Sequence, residues 1–195
     1  MTGHVRIREV GALDQPKVRL FTPDEVLRMV EVGVLGEDEP VELVEGRLVV
    51  VSPQGPIHSS MVGALANRLA AAYGPGFTVR EDKPLQLVDG LPEPDVAVVR
   101  GGQRDYLARH PVPADVLLVL EVAVTSQKLD RKKARSYARG GVATLWLLDV
   151  TARRLEVRSD PQPDGRYRTV QILSETDEVS PPGLAQRWSV RELLP

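Results

Sequence analysis

Apolar residues recur at two different spacings along the 195-residue chain. Segments with helical spacing, bounded by Gly and Pro, lie at 22–33, 57–72 and 130–139. Continuous or alternating apolar segments, typical of β-strands, lie at 41–51, 77–81, 85–88, 95–100, 116–124, 144–150, 153–159 and 165–173. This order predicts an α/β (α+β) fold, with a central mixed β-sheet flanked by helices, an added N-terminal hairpin and C-terminal strands.

Local signals refine three of these elements. Thr22 and Glu25 form a capping-box pattern that predicts the start of the first helix, with Pro23 at its first position. The pair Glu45-Gly46 between two apolar segments indicates a hairpin turn. Residues 116–150 indicate a strand–helix–strand unit, whose crossover should be right-handed if the two strands are parallel.

Composition and length exclude several classes of protein. The length predicts a single domain over residues 1–195. The absence of cysteine excludes disulfides and cysteine-based zinc sites. No apolar run approaches the roughly 18–20 residues of a membrane helix, and the N-terminus lacks the apolar centre of a signal peptide. We therefore expect a cytoplasmic protein with no membrane contact.

Charge is unevenly distributed, although the net charge is only −2. Residues 128–139, "KLDRKKARSYAR", contain six basic residues and one acidic residue. Such a segment is either a contact surface for a polyanion or a helix face exposed to solvent. If it binds nucleic acid, the residues that we expect to do so are Lys128, Arg131, Lys132, Arg135 and Arg139.

Glu121 lies in the middle of the apolar run Val116–Val124. A run that is apolar on both faces suggests a strand covered on both sides, where an ionised carboxylate is costly unless it is paired or binds a metal. Taken alone, the residue is better explained by pairing with an arginine or by a position near the sheet edge. Asp95 changes this balance, because it directly precedes another short apolar strand and could face the same pocket.

Two carboxylates on neighbouring strands would form an oxygen-rich site. Together with a strand carbonyl, for which Val122 is the natural candidate, and with water, they suit Mg²⁺ or Mn²⁺. Such a metal could activate water and stabilise charge on a phosphoryl group.

The ordered set of motifs resembles the Uma2 family, also called DUF820, in the PD-(D/E)XK nuclease superfamily. The similar segments are "PEPDVAVV" and "LVLEVAVTSQKLDRKKARSYARGGVATLWLLDV", with "VELVEGRLVVVSPQGPIHSSMVGALANRLAAA" upstream. The resemblance spans a core of about residues 20–175, which leaves 1–19 as an N-terminal extension. It implies a restriction-endonuclease-like core with Asp95 and Glu121 as catalytic metal ligands.

The resemblance also bears on the catalytic lysine. The usual superfamily motif would place it at position 123, which is Ala123 here. In Uma2-like proteins the role moves to the following helix, where Lys133 is the first candidate and Lys132 the second. For Lys133 the ordinary alternative is a solvent-exposed lysine.

Three further residues are assigned supporting roles. On a helix Tyr137 shares a face with Lys133, and the favoured interpretation is packing with its hydroxyl at the surface. His58 is either a structural residue at a helix start or a group at the edge of the site. Glu42 is either a third acidic ligand or a charge at a sheet edge.

The leading hypothesis is a Mg²⁺- or Mn²⁺-dependent endonuclease that hydrolyses phosphodiester bonds, with double-stranded DNA as the favoured substrate and a homodimer allowed. The first alternative is a catalytically inactive nucleic-acid-binding or assembly module on the same fold. The second is an enzyme acting on a smaller phosphorylated substrate.

Overall fold

A computed structural model describes residues 18–36, 38–124 and 127–195, and within 127–131 it describes the backbone only. The described residues form three α-helices, namely α1 (Pro23–Glu31), α2 (Pro56–Tyr73) and α3 (Gln127–Gly140). They also form ten strands: β1 (Val41–Val44), β2 (Arg47–Val50), β3 (Phe77–Glu81), β4 (Val96–Arg100), β5 (Val116–Ala123), β6 (Thr144–Asp149), β7 (Arg154–Pro161), β8 (Tyr167–Ser174), β9 (Glu178–Val179) and β10 (Trp188–Ser189). Short 3₁₀ helices lie at Gln103–Tyr106, Pro113–Asp115 and Val190–Leu193.

The central sheet has six strands in the order β3-β4-β5-β6-β7-β8. Strands β5 and β6 are parallel, and every other neighbouring pair is antiparallel. This confirms the predicted mixed sheet, and it shows that the two strands on either side of α3 are parallel, which the sequence left open. The predicted N-terminal hairpin is β1–β2, which lies outside the central sheet, and β9–β10 form a further small pair.

Helices cover both faces of the sheet. One face packs against α2 through a cluster that includes Leu65, Leu118 and Trp146. The other packs against α3 through Tyr137, Val119 and neighbours. This two-sided burial explains why β5 is a continuous apolar run, as is usual for strands at the centre of a covered sheet.

The hairpin turn follows from its two central residues. Glu45 and Gly46 both have positive φ values, 52° and 73°, as a tight two-residue turn between β1 and β2 requires. A Cβ at position 46 would come within 2.8 Å of the Leu20 side chain, so glycine is also needed for close packing. At α1, Thr22 and Glu25 form the predicted capping box.

The segment 85–88 is not a strand, contrary to the sequence prediction. Its alternation is real, because Leu85 and Leu87 are buried. However, its backbone N–H groups donate to carbonyls of turns and loops, Pro92, Pro111 and Gly90, rather than to a neighbouring strand. The alternation of apolar and polar residues therefore indicates burial of an irregular segment. It does not indicate hydrogen bonding to a neighbouring strand.

Leu118→Ala tests the packing between α2 and the sheet. Leu118 has no exposed surface, so we expect the free energy of unfolding to fall by about 2–5 kcal/mol. Val170→Ala, on the exposed strand β8, is the control and should change it by less than about 0.5 kcal/mol. Urea denaturation followed by tryptophan fluorescence measures both, and equal midpoints would contradict the assignment of the core.

Candidate active site

The structure brings Asp95 and Glu121 together. Asp95 directly precedes β4, and Glu121 lies in β5, where Val96 pairs with Leu120. The Asp95 N–H donates to Glu121 Oε2 at 3.4 Å, and both side chains are buried. Their neighbours Ala97 and Val119 belong to the α3-side cluster, so both acids lie on the α3 face of the sheet.

Asp95 is fixed by two contacts to one oxygen. Its Oδ2 accepts the Val122 N–H at 2.6 Å and lies 3.1 Å from His58 Nε2. His58 comes from the first turn of α2, so it lies both at a helix start and beside Asp95 at the cavity. Val122, whose carbonyl is a predicted metal ligand, thus lies at the same site through its backbone.

Lys133 is buried at the centre of the acids, with only 4% of its surface exposed. Its Nζ donates to the Glu93 carbonyl at 2.7 Å and lies 3.3 Å from Glu42 and 3.2 Å from Glu121 Oε1. Burial alone would lower the pKa of Lys133, but the charges of Glu121, Glu42 and Asp95 raise it above its ordinary value. Lys133 is therefore a buried cation, and the interpretation as a solvent-exposed lysine is wrong.

Tyr137 also contacts Glu121. It lies one helical turn beyond Lys133 on the same face, and its hydroxyl donates to Glu121 Oε1 at 2.6 Å in a fully buried position. The favoured prediction of a surface hydroxyl is therefore wrong. Burial, together with the nearby negative charge of Glu121, raises the pKa of Tyr137 well above its ordinary value, so the hydroxyl remains a donor.

Glu42 reaches the site from the hairpin. It lies in β1, and besides its contact with Lys133 it accepts the Glu93 N–H at 3.1 Å. Glu93 is a site residue that the sequence reasoning missed, although its position two residues before Asp95 is the signal that could have identified it. Burial and the charge of Glu42 raise the pKa of the Glu93 carboxyl.

These groups line a cavity of about 930 Å³. Its charged lining consists of five acids and two lysines, namely Glu42, Asp82, Glu93, Asp95, Glu121, Lys132 and Lys133. The segment from Val49 to Ile57 also lines the cavity, and in this segment Val50 and Ile57 are exposed aliphatic side chains. Lys132 differs from its neighbour because it is exposed to solvent at the rim.

The basic face of α3 is partly engaged in ion pairs. Arg135 and Arg139 both contact Glu45 in the hairpin turn, at 3.1 and 2.9 Å, and Arg139 also contacts Asp89 at 2.7 Å. These pairs fasten α3 to the hairpin that contains Glu42. The side chains of Lys128 and Arg131, two of the predicted nucleic-acid contacts, lie outside the described residues.

The donor atoms fit a hard divalent cation. Asp95 and Glu121 offer carboxylate oxygens and Val122 a backbone oxygen, which are the donors that Mg²⁺ and Mn²⁺ accept. Within the residues that the structure describes, no group of three or more His, Cys, Asp or Glu side chains could hold a metal ion. A cation here would thus use two side chains and would keep several waters, as Mg²⁺ usually does.

Lys133→Met tests the buried ion-pair network. Removing the ammonium leaves Glu42 and Glu121 without their buried cation, and we expect a loss of about 3–5 kcal/mol in the free energy of unfolding. Lys132→Met is the matched control, because the adjacent lysine is exposed; it should cost less than about 0.5 kcal/mol. Chemical denaturation measures the free energy of unfolding of both variants. Equal values for Lys133→Met and Lys132→Met would contradict the buried ion-pair network.

The sequence matches the model of a known protein family. The family model Uma2, described as "Putative restriction endonuclease", matches residues 23–193. No curated protein matches the sequence.

Within the described ranges, no helix is long and apolar enough to cross a membrane.

The fold is similar to that of solved structures, of which one serves as an example. It is described as "Crystal structure of a putative nuclease belonging to DUF820 from Anabaena variabilis ATCC 29413 at 1.96 A resolution". It superposes with a TM-score of 0.71 at 20% sequence identity, covering 89% of this chain and 97% of that one. This likeness confirms the fold that the motifs implied. Because the family model extends over nearly the whole described chain, the protein belongs to the Uma2 family.

Proposed function

We propose that the protein is a divalent-metal-dependent endonuclease that hydrolyses phosphodiester bonds, with DNA as the favoured substrate. The observation that supports this most directly is the pair Asp95 and Glu121, which lie side by side at a cavity with a buried ammonium behind them. The family description and the description of the structural neighbour support a nuclease at a coarser level. Double-stranded DNA, a homodimer and a cytoplasmic location stay predictions.

Asp95, Glu121 and the Val122 carbonyl are the groups that would hold Mg²⁺ or Mn²⁺. When bound, the cation would supply water activation and charge stabilisation at the phosphoryl group. The chain's own contribution is to keep the two carboxylates oriented. Val122 N–H and His58 hold Asp95, and the Tyr137 hydroxyl holds Glu121. Such fixed surroundings are required for a site that must not rearrange during the reaction.

Lys133 would act through its charge. Its ammonium makes three contacts, to Glu42, Glu121 and the Glu93 carbonyl, and this equals the number of N–H groups that it has. A fixed positive charge beside the carboxylates favours hydroxide over water and offsets negative charge that develops at phosphorus. Lys132, exposed at the rim of the cavity, is placed to meet a phosphate from solvent.

Calorimetric titration with Mn²⁺ tests the metal site without knowledge of the substrate. We expect the wild type to bind Mn²⁺ and both Asp95→Asn and Glu121→Gln to lose binding while remaining folded by circular dichroism, because each loses a charged ligand. Asp164→Asn is the matched control, since this carboxylate is exposed and does not line the cavity. Wild-type protein that binds no Mn²⁺ even at millimolar concentration would contradict the proposal.

Cleavage of supercoiled plasmid DNA tests the activity itself. We expect nicking that depends on Mg²⁺, stops with EDTA and falls about a thousand-fold in Asp95→Asn, which corresponds to several kcal/mol of lost charge stabilisation. Asp164→Asn should cleave like the wild type. Metal binding without cleavage of DNA or RNA would instead favour the catalytically inactive module, and cleavage that persists in Asp95→Asn would assign the activity to another site.

A further inference from the structure

A second cationic group lies at the free edge of the sheet, on β3 and the connection between β4 and β5. Arg80, in β3, lies against the ring of Tyr106, with its guanidinium carbon 5.7 Å from the ring centroid. Arg109 lies 5.1 Å from the same centroid. Tyr106 is in turn anchored, because its hydroxyl donates to the Arg100 carbonyl. The long connection between β4 and β5 thus supplies a ring against which two guanidinium groups pack.

The two arginines differ in their partners. Arg109 is neutralised by Asp115, which its guanidinium contacts through two nitrogens. Arg80 is half-buried, and within the described residues its guanidinium donates no hydrogen bond to any side chain or carbonyl. Its Nε is buried without an acceptor. That Nε is closed to solvent, but a half-exposed guanidinium without a carboxylate partner can bind an external acceptor through its terminal nitrogens.

The surroundings of Arg80 favour an anion as that acceptor. Burial lowers the pKa of Arg80, and the interaction that partly offsets this comes from Tyr106 rather than from a carboxylate. The nearby His110 is half-buried, and burial followed by the charge of Arg80 lowers its pKa. Arg80 is therefore an unneutralised guanidinium, which is the group that binds phosphate oxygens best through parallel N–H donors.

Arg80 is also close to the cavity. It pairs with Ala97, two residues along β4 from Asp95. From strand spacing and rise, the two Cα atoms are on the order of 8 Å apart, close enough for one nucleic-acid strand to reach both residues. Of the residues that follow Arg80 in the chain, Asp82 lines the cavity. The exposed Lys83 is close enough to Glu93 for its charge to act on the pKa of that carboxyl, in the lowering direction.

We propose that Arg80 binds a backbone phosphate of the nucleic-acid strand that leaves the candidate active site, and that Lys83 adds a second positive charge on the side of the cavity. This inference rests on the proposed function for the identity of its ligand, and it assigns a binding surface on the β3 edge in addition to the basic helix α3. Contacts of this kind fix the register of the strand and do not read its sequence.

Fluorescence anisotropy with a labelled DNA duplex tests it, with Ca²⁺ in place of Mg²⁺ to suppress cleavage. Arg80→Gln should weaken binding about five- to ten-fold and lower the slope of log K against log salt by about 0.9, the value for one phosphate contact. Arg80→Lys should keep part of the affinity, because lysine keeps the positive charge but lacks the parallel N–H donors of the guanidinium group. Arg187→Gln is the control, since that exposed arginine pairs with Glu178, and it should bind like the wild type.

The outcomes separate this inference from the nuclease proposal. Duplex binding by Arg80→Gln with wild-type affinity and salt slope would overturn the inference, whatever the cleavage assays give. A wild type that binds DNA through Arg80 but never cleaves it would leave the inference standing and the nuclease proposal refuted. A wild type that binds no nucleic acid would overturn both. Thermal melting of Arg80→Gln and Arg80→Lys ensures that a lost affinity is not lost folding.

Discussion

The interaction on which the site depends is the burial of one ammonium among acids. Lys133 neutralises Glu42 and Glu121 in a place that water hardly reaches, and the Glu93 carbonyl takes its remaining donor. Without this cation the centre of the sheet would contain several carboxylates with too little positive charge, which is a costly arrangement in a medium of low dielectric constant. The position of α3 against the sheet follows from this requirement as much as from apolar packing.

Three separate parts of the chain meet at that ammonium. The hairpin contributes Glu42, the start of β4 and the strand β5 contribute Asp95 and Glu121, and α3 contributes Lys133 together with Tyr137. None of these side chains is oriented by its own element alone, because each is held by a hydrogen bond or ion pair from another. The rigidity that a catalytic carboxylate pair needs is thus a property of the assembled fold.

The sequence predicted those features that depend on local chemistry. The Glu45-Gly46 turn, the strand–helix–strand unit that contains α3 and the proximity of Asp95 to Glu121 follow from turn residues and apolar runs. Burial of Lys133 and Tyr137 did not follow, because "KLDRKKARSYAR" presents few apolar residues that would mark its inner face. The partners of Lys133 also come from residues far away in the chain, and the failed strand at 85–88 shows that alternation records burial without recording which backbone groups pair.

The hairpin has a consequence for the order of folding. Glu42 and Lys133 are separated by 91 positions, so their contact belongs to the long-range closures that cost the most chain entropy. The central sheet lies wholly beyond residue 76 and can form before the hairpin docks on α3. The sheet with α3 packed on it, but without the docked hairpin, would bring Asp95, Glu121 and Lys133 together and would lack the negative charge of Glu42. Completion of the site is therefore expected to require docking of the hairpin, which makes it a sensitive reporter of native structure.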